Sequence, residues 1–349
     1  MPTLNDIAET VGVSTMTVSR ALAGQPGVSD ATREKVRATA AQIGYGGNAA
    51  ASALARGRTN TIGVLTQRVS NDYTSGIVQG IAEVFETTTD FDLVIYSPHH
   101  GINDPGQYLL SHSHGLTDGL LLVSSTFSMH AEAEAGALCR QGFPLVMIDA
   151  SPSDRSVPHV VANNEQGGFD VTRYLIEIGH RRIGFIGAGD SYHSRERYKG
   201  YRRALAEYRI RQNKAWVKEA GFSFASANQR MREWIDAGQC PSAVFCASDN
   251  MALGALDACK TAGVAVPGDV SIAGFDDIFS ASTSTPALTT VRQSLHEMGR
   301  LGAQMLLGLL KGKEMERGVW LQTSLILRDS CKPYRNGKSH TQQDQPRRN

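Results

Sequence analysis

The sequence has almost no excess of charge of either sign: 35 Lys and Arg stand against 34 Asp and Glu over 349 residues, a formal net charge of +1. That balance excludes a protein that holds nucleic acid by bulk charge alone, so any DNA contact has to be local. Cysteine is also scarce. The five (Cys139, Cys240, Cys246, Cys259, Cys331) are odd in number, widely spaced and free of any C-x-x-C pair, which argues against a disulfide framework and a structural zinc site. The chain carries no uninterrupted apolar run near 18 residues and no basic-then-apolar leader at Met1, so a cytoplasmic protein without a membrane partner is expected.

The usual signatures of chemistry are missing too. Neither a G-x-S-x-G elbow nor an H-E-x-x-H pair occurs, and Gly187-Ala188-Gly189 fails as a dinucleotide fingerprint because position 192 is Tyr. His99, His100, His112 and His114 cluster near the Gly101–Gly106 loop, where ordinary surface histidines are preferred over a metal site. No enzyme, cofactor or metal is therefore expected.

What is present begins at the N-terminus. Leu4, Ile7, Ala8 and Val11 stand at i, i+3, i+4 and i+7, one apolar face of a short helix. Gly12 permits a tight turn, Val13 plugs the corner and Ser14 is a good N-cap for a second helix from Thr15. Val18 and Leu22 face back to the first helix, leaving Thr15, Met16 and Arg20 unclaimed by any core. Two helices joined by a three-residue turn form a helix-turn-helix, weighed against a purely structural αα-hairpin. A third helix follows Ser29, with Val36, Ala40 and Ile43 as its buried stripe. Residues 1–59 hold six basic and four acidic residues, a local excess of only +2, which suffices if aimed at phosphates in a dimer. The alanine-rich run after Asn48 is too short to hold as an isolated helix and is expected to form only on a stabilising partner.

From Thr61 the texture changes. Apolar runs at 62–65, 93–96, 120–123, 145–148 and 160–161, then 183–186, 243–246 and 270–273, alternate with helical patterns at 76–85, 166–178, 197–208, 251–261 and 295–310. This is the pattern of two doubly wound parallel-sheet subdomains, whose facing strand ends enclose a ligand cleft. The expected division is a headpiece (1–45), a linker (46–59) and a core (60–330), followed by a disordered basic tail (331–349). Within the core, an N-subdomain takes about 60–161 and 291–320, and a C-subdomain about 162–290 and 321–330.

The run T-L-N-D-I-A-E-T-V-G-V-S-T-M-T-V-S-R-A-L at 3–22, with V-S-D-A-T-R-E-K-V and I-G-Y after it, resembles the headpiece of the lactose/galactose repressor (LacI/GalR) family of bacterial transcription regulators. The resemblance continues through I-E-I-G-H-R-R-I-G-F-I-G (176–187), R-Y-K-G-Y (197–201), S-D-N-M-A-L-G-A-L (248–256), V-P-G-D-V-S-I-A-G-F-D-D (266–277) and L-T-T-V-R-Q (288–293), covering about residues 3–330.

It implies a small all-α helix-turn-helix headpiece on an α/β, periplasmic-binding-protein-like core. It also implies a homodimer on a near-palindromic operator, most often acting as a repressor of sugar uptake or catabolism genes. The implied DNA-binding residues are Thr3, Ser14, Thr15, Met16, Thr17, Ser19, Arg20 and Asn48, with Ala51 near the minor-groove floor and Leu54 inserted at a central step. Met16 stands where other members have a polar residue, so the preferred base does not transfer; Gly47 replaces a common Pro. The implied effector-binding residues are Arg197 and Asp276 as a clamp, Tyr73 and Phe222 as stacking faces, and Asp149, Ser124 and Ser248 at strand ends. For Asp249, helix capping is the favoured reading. The expected effector is a sugar or sugar derivative, with a purine as the alternative; a sugar-binding protein without DNA function is the rival from another class. The resemblance leaves open whether the effector induces or corepresses.

Overall fold

The computed structural model describes residues 2–45, 58–66, 72–88, 91–97, 105–113, 115–123, 129–189 and 191–334. Asn48, Ala51, Leu54 and Ser124 lie outside the described residues, as do His99, His100 and His114. The chain divides into two units, 1–59 and 60–349.

The first unit holds α1 (Leu4–Val11), α2 (Thr15–Leu22) and α3 (Asp30–Gln42), each entered through a hydroxyl cap. Thr3 and Asp6 form a reciprocal capping box, and the Ser14 and Ser29 hydroxyls accept from the backbone N–H groups of Thr17 (3.1 Å) and Thr32 (3.3 Å). Gly12 ends α1 at φ +74°, a conformation that a side chain would oppose. Ile7, Ala8, Val18, Ala21, Val36 and Ala40 are buried together as the core of this unit, and Leu22 packs at its edge.

The second unit contains two parallel sheets. The first is built from β1 (Thr61–Thr66), α4 (Asp72–Thr88), β2 (Asp92–Tyr96), α5 (Pro105–Ser111), β3 (Gly119–Val123), α6 (Met129–Arg140), β4 (Leu145–Ile148) and β5 (His159–Ala162). The chain then passes through α7 (Asn164–Glu177) into β6 (Ile183–Gly187), α8 (Tyr192–Glu207), β7 (Val217–Glu219), α9 (Phe224–Asp236), β8 (Ala243–Cys246), α10 (Asp249–Thr261), β9 (Ser271–Ala273) and α11 (Phe279–Thr283). It returns along β10 (Thr290–Arg292), α12 (Leu295–Leu310), β11 (Gly318–Leu321) and β12 (Ser324–Ile326). Among the described residues the strand orders are β2-β1-β3-β4-β5-β11 and β7-β6-β8-β9, all parallel, with β10 and β12 an antiparallel pair. The strands Gly119–Val123, Leu145–Ile148, Ile183–Gly187 and Ala243–Cys246 are buried along their whole length, because helices cover both faces.

Three helix pairs cross closely enough to demand glycine. A Cβ on Gly80 of α4 would collide with the carbonyl oxygen of His296, and one on Gly299 of α12 with that of Ile77. Gly168 of α7 and Gly200 of α8 meet the backbones of Arg197 and Glu165 in the same way, so this crossing sets the height at which Arg197 leaves its helix. Gly254 of α10 lies equally close to the carbonyl of Phe224. Gly299→Ala is expected to destabilise the core by about 1–3 kcal/mol, the range for overpacking a filled interior, and thermal unfolding of the full chain checks it.

The expected disordered tail from 331 requires correction over residues 331–334, the part of it that is described. Cys331 is 9% exposed within the second sheet's core, Lys332 N donates to Ser271 Oγ (3.2 Å), and Tyr334 N donates to the Ile178 carbonyl (2.8 Å) with its ring over His180. The cause is His180 itself. Buried between the Ser242 and Ser271 hydroxyls (3.0 and 3.1 Å), it takes the Lys332 carbonyl as a further partner at 3.2 Å, so the chain must stay docked through Tyr334.

Burial pushes the His180 imidazole down to about 4 from 6.5. The unfolded chain therefore binds more protons between those values, and this contribution, complete above pH 6.5, is lost as pH falls towards 4. The stability advantage of wild type over His180→Asn is expected to shrink by roughly 2–3 kcal/mol between pH 7.5 and 4.5, read from urea unfolding midpoints.

Candidate functional site

Two groups of residues meet the requirements of a site, one in each unit. In the helical unit, α2 turns Thr15, Met16, Ser19 and Arg20 outward, with Met16 64% exposed. Arg20 lies in the last turn, where the helix dipole favours a cation. Ser14 and Thr17 are bonded to each other at 2.9 Å as part of the cap, and Thr3 bonds to Asp6 at 2.9 Å. These three hydroxyls fix the helix entrances, whereas Thr15, Met16, Ser19 and Arg20 form the exposed face.

In the second unit, the carboxyl ends of β4, β6, β8 and β9 bring together residues distant in sequence. Asp149 follows β4 and Asp276 and Asp277 follow β9, all at positive φ (+55°, +120° and +59°). Such backbone costs about 1–3 kcal/mol per residue and persists where the surroundings enforce it. Tyr73, at the start of α4, donates its hydroxyl to Asp149 Oδ2. Across the cleft, His193 of α8 brings Nε2 to the Asp149 carbonyl oxygen (2.6 Å) and to Oδ2 (3.0 Å). A carbonyl oxygen has no proton to give, so Nε2 is the donor. Asp72 accepts from the Ser280 hydroxyl (2.8 Å) and backbone N–H (3.3 Å), joining α4 to α11.

One helical turn after His193, Arg197 is 2% exposed. Its Nε donates to Asn164 Oδ1 (2.8 Å), and Nη1 to the Ala247 carbonyl and Asp276 Oδ1 (3.2 Å), while its guanidinium lies 3.7 Å from the centroid of the Phe275 ring. Gln293 donates Nε2 to the same Asp276 oxygen at 2.6 Å.

The electrostatics follow from this packing. Burial would raise Asp149, but His193, Arg197 and the Tyr73 hydroxyl outweigh it and hold the carboxyl below the usual carboxylate range. Tyr73 is pushed well up by burial and the Asp149 charge, so it remains a donor. Asp276 rises to about 6, because burial exceeds the relief supplied by Arg197 and Gln293. Asp249, fully buried behind it, rises further through burial and the Asp276 charge. Among the described residues, Asp149 Oδ1, His193 Nδ1 and Gln293 Oε1 are buried polar atoms without a hydrogen-bond partner. Unpaired buried groups of this kind cost about 1–3 kcal/mol each and call for a partner such as water or a ligand.

The structure thus brings Tyr73, Asp149, Arg197 and Asp276 into one cluster, and rearranges two neighbours. Ser248 caps α10, accepting from Met251 N at 3.3 Å. Asp249, for which capping was the favoured reading, instead accepts from the Thr290 hydroxyl and from Ile278 N (3.0 Å). The serine reaches the cap because it precedes the first helical turn, and the aspartate inside that turn points into the core. Phe222 follows β7 and packs partly on the core of the second sheet. His193, Gln293, Asn164 and Phe275 were not singled out from sequence. His193 stands four residues before Arg197 on one helix face, and Gln293 closes the L-T-T-V-R-Q run, so spacing offered a signal for both.

Among the described residues, no group of three or more His, Cys, Asp or Glu is arranged to hold a metal ion, and no helix is long and apolar enough to cross a membrane. His112 directs Nδ1 to the Tyr108 carbonyl at 2.7 Å.

Comparison with known proteins finds matches in both units. Residues 3–48 match the family of bacterial regulatory proteins, lacI family, and residues 172–331 match a periplasmic binding protein-like domain. The ribose operon repressor of Haemophilus influenzae is 33% identical over 95% of this chain and 98% of its own length. The HTH-type transcriptional repressor PurR of Photobacterium profundum is 31% identical over 95% and 99%. Among solved structures, the lac repressor dimer bound to operator and the anti-inducer ONPF shares 28% identity at a TM-score of 0.77, over 95% of this chain and 99% of that one. The transcriptional regulator CelR in complex with cellobiose shares 32% at 0.70, over 95% and 100%. Likeness along the whole length, carried by the helix-turn-helix and the two-sheet core alike, shows that the chain belongs to the lacI family of bacterial regulatory proteins, as a DNA-binding transcriptional repressor.

Proposed function

We propose that this repressor binds a near-palindromic operator as a homodimer and that a small polyhydroxylated effector, a sugar or sugar derivative, sets its operator affinity from the cleft. The observation that carries the reading is the cluster at the facing strand ends, where Asp149 and Tyr73 stand on one side and His193, Arg197 and Asp276 on the other. Carboxylates and a guanidinium held in fixed positions suit vicinal hydroxyls, which both donate and accept. An effector bound to both sides changes the balance between subdomain arrangements, and operator affinity changes with it.

On DNA, Arg20 donates to a guanine while Thr15, Met16 and Ser19 meet neighbouring base edges and thymine methyls. Thr3, Ser14 and Thr17 lie close to the backbone, and Asn48, Ala51 and Leu54 serve at the minor groove, with Leu54 as the wedge. Within the cleft, Phe222 supplies a stacking face, and Ser124 and Ser248 are further effector contacts. A purine is the second reading, favoured by the PurR relatives at 30–31% identity.

Selection of bound sequences from random duplex DNA at fixed salt, repeated with sugars, sugar acids and purines, tests this. A palindrome whose recovery changes with one sugar supports the reading, and a palindrome that responds to purines alone replaces it with the second. Recovery of no palindrome under any condition contradicts operator binding as proposed.

A further inference from the structure

We infer that the effector is a neutral, donor-rich polyol, and that the cleft discriminates against its carboxylate and phosphate derivatives; this rests on the sugar reading above and narrows it. The directions of the hydrogen bonds carry it. Asp149 Oδ2 already accepts from Tyr73 and His193, which leaves Oδ1 as a bare acceptor on a residue 1% exposed. Gln293 turns its amide nitrogen to Asp276 Oδ1, the same oxygen that takes Arg197, so its Oε1 is a second bare acceptor, on a residue 3% exposed.

Two buried acceptors without a partner call for a ligand that gives protons. Hydroxyl groups do so. Carboxylate and phosphate oxygens do not, and they would bring negative charge beside Asp149 and Asp276. Two of the three guanidinium nitrogens of Arg197 are already engaged: Nε and Nη1 bond to Asn164, Ala247 and Asp276. Asp277, the next acidic side chain, pairs with Arg292 Nε and Arg328 Nη2 at 2.6 Å each. An anion therefore meets acceptors on both walls.

The test is calorimetric titration of the full-length chain with matched sets that differ only at one carbon: D-glucose, D-glucuronate and glucose 6-phosphate; D-galactose, D-galacturonate and galactose 6-phosphate; and D-ribose and ribose 5-phosphate, with hypoxanthine and guanine alongside. In the set that binds, the neutral member is expected to bind at least 30-fold more tightly than its acid or phosphate. Asp149→Asn supplies the second arm. The amide oxygen must still accept from Tyr73 and His193, which places its NH2 where Oδ1 stood, a donor in place of an acceptor. That isosteric variant is expected to lose at least 10-fold for the neutral sugar and to narrow its preference over the anion. Equal or tighter binding of an anionic member overturns the inference and leaves the sugar reading in place. Binding of a purine alone overturns the sugar reading and this inference with it.

Discussion

Replacing Arg197 by alanine is expected to abolish the response to effector, weakening its binding by 100-fold or more, or about 3 kcal/mol, while leaving the exposed face of α2 untouched. The size follows from the geometry. Arg197 holds Asn164, the Ala247 carbonyl and Asp276 at once and lies over the Phe275 ring, so its loss releases a whole wall of the cleft. Breaking a buried pair also leaves an uncompensated charge, a cost of about 3–5 kcal/mol in general. Here part of that cost is offset, because Asp276 already titrates near 6 and takes up a proton when the guanidinium is gone. The variant should therefore fold with a lowered melting temperature and still bind operator. Arg197→Lys is expected to recover charge but little affinity, since an ammonium lacks the planar fork that reaches three partners. Calorimetric titration with effector, paired with operator binding by fluorescence anisotropy, separates these outcomes. An Arg197→Ala chain that responds to effector as wild type does would remove this residue from the effector site.

The second large effect is expected at Arg20. A bidentate contact to guanine carries about 1–3 kcal/mol of discrimination, and a dimer makes it twice, so Arg20→Ala should weaken specific operator binding by about 2–6 kcal/mol. Binding to unrelated duplex DNA should fall far less, because that term comes from phosphate neutralisation and not from base edges. The substitution lies on an exposed helix face, so stability should change little. Competition binding against specific and random duplexes at one salt concentration measures the ratio. A uniform loss on both DNAs would make Arg20 a phosphate contact, and the base-reading role would pass to Thr15, Met16 or Ser19.

The elements most legible in the sequence were those whose physics is local. The strands at 62–65, 120–123, 145–148, 183–186 and 243–246 announce themselves because burial on both faces makes each a short unbroken apolar run. The caps at Ser14 and Ser29 are legible because a hydroxyl before an amphipathic stretch has one favoured use. Less legible were β7 (Val217–Glu219) and β11 (Gly318–Leu321), short and half-buried, where no period of two has room to show. Helix α9 buries only Ala227, Met231 and Trp234, so most of its sequence is polar.

The cleft divides the same way. Arg197 and Asp276 entered through motifs, as did Phe275 and Gln293 beside them, but Asn164 and Ala247 did not. Tyr73 reaches Asp149 across 76 residues and His193 reaches it across 44, and no local window contains either pair. The exchange of roles between Ser248 and Asp249 has a related cause. Both residue types cap helices well, and only the burial of Asp249 against Thr290 and Ile278 decides between them.

Linkage of cleft and operator through one chain makes a quantitative demand. If effector changes operator affinity by some factor, operator must change effector affinity by the same factor. The measurement is the operator dissociation constant at zero and saturating effector, set beside the effector dissociation constant with and without saturating operator, all in one buffer at one salt concentration. Equal factors in the two directions, both well above tenfold, are the expected result. An effector that binds the cleft tightly yet leaves operator affinity unchanged would contradict the account.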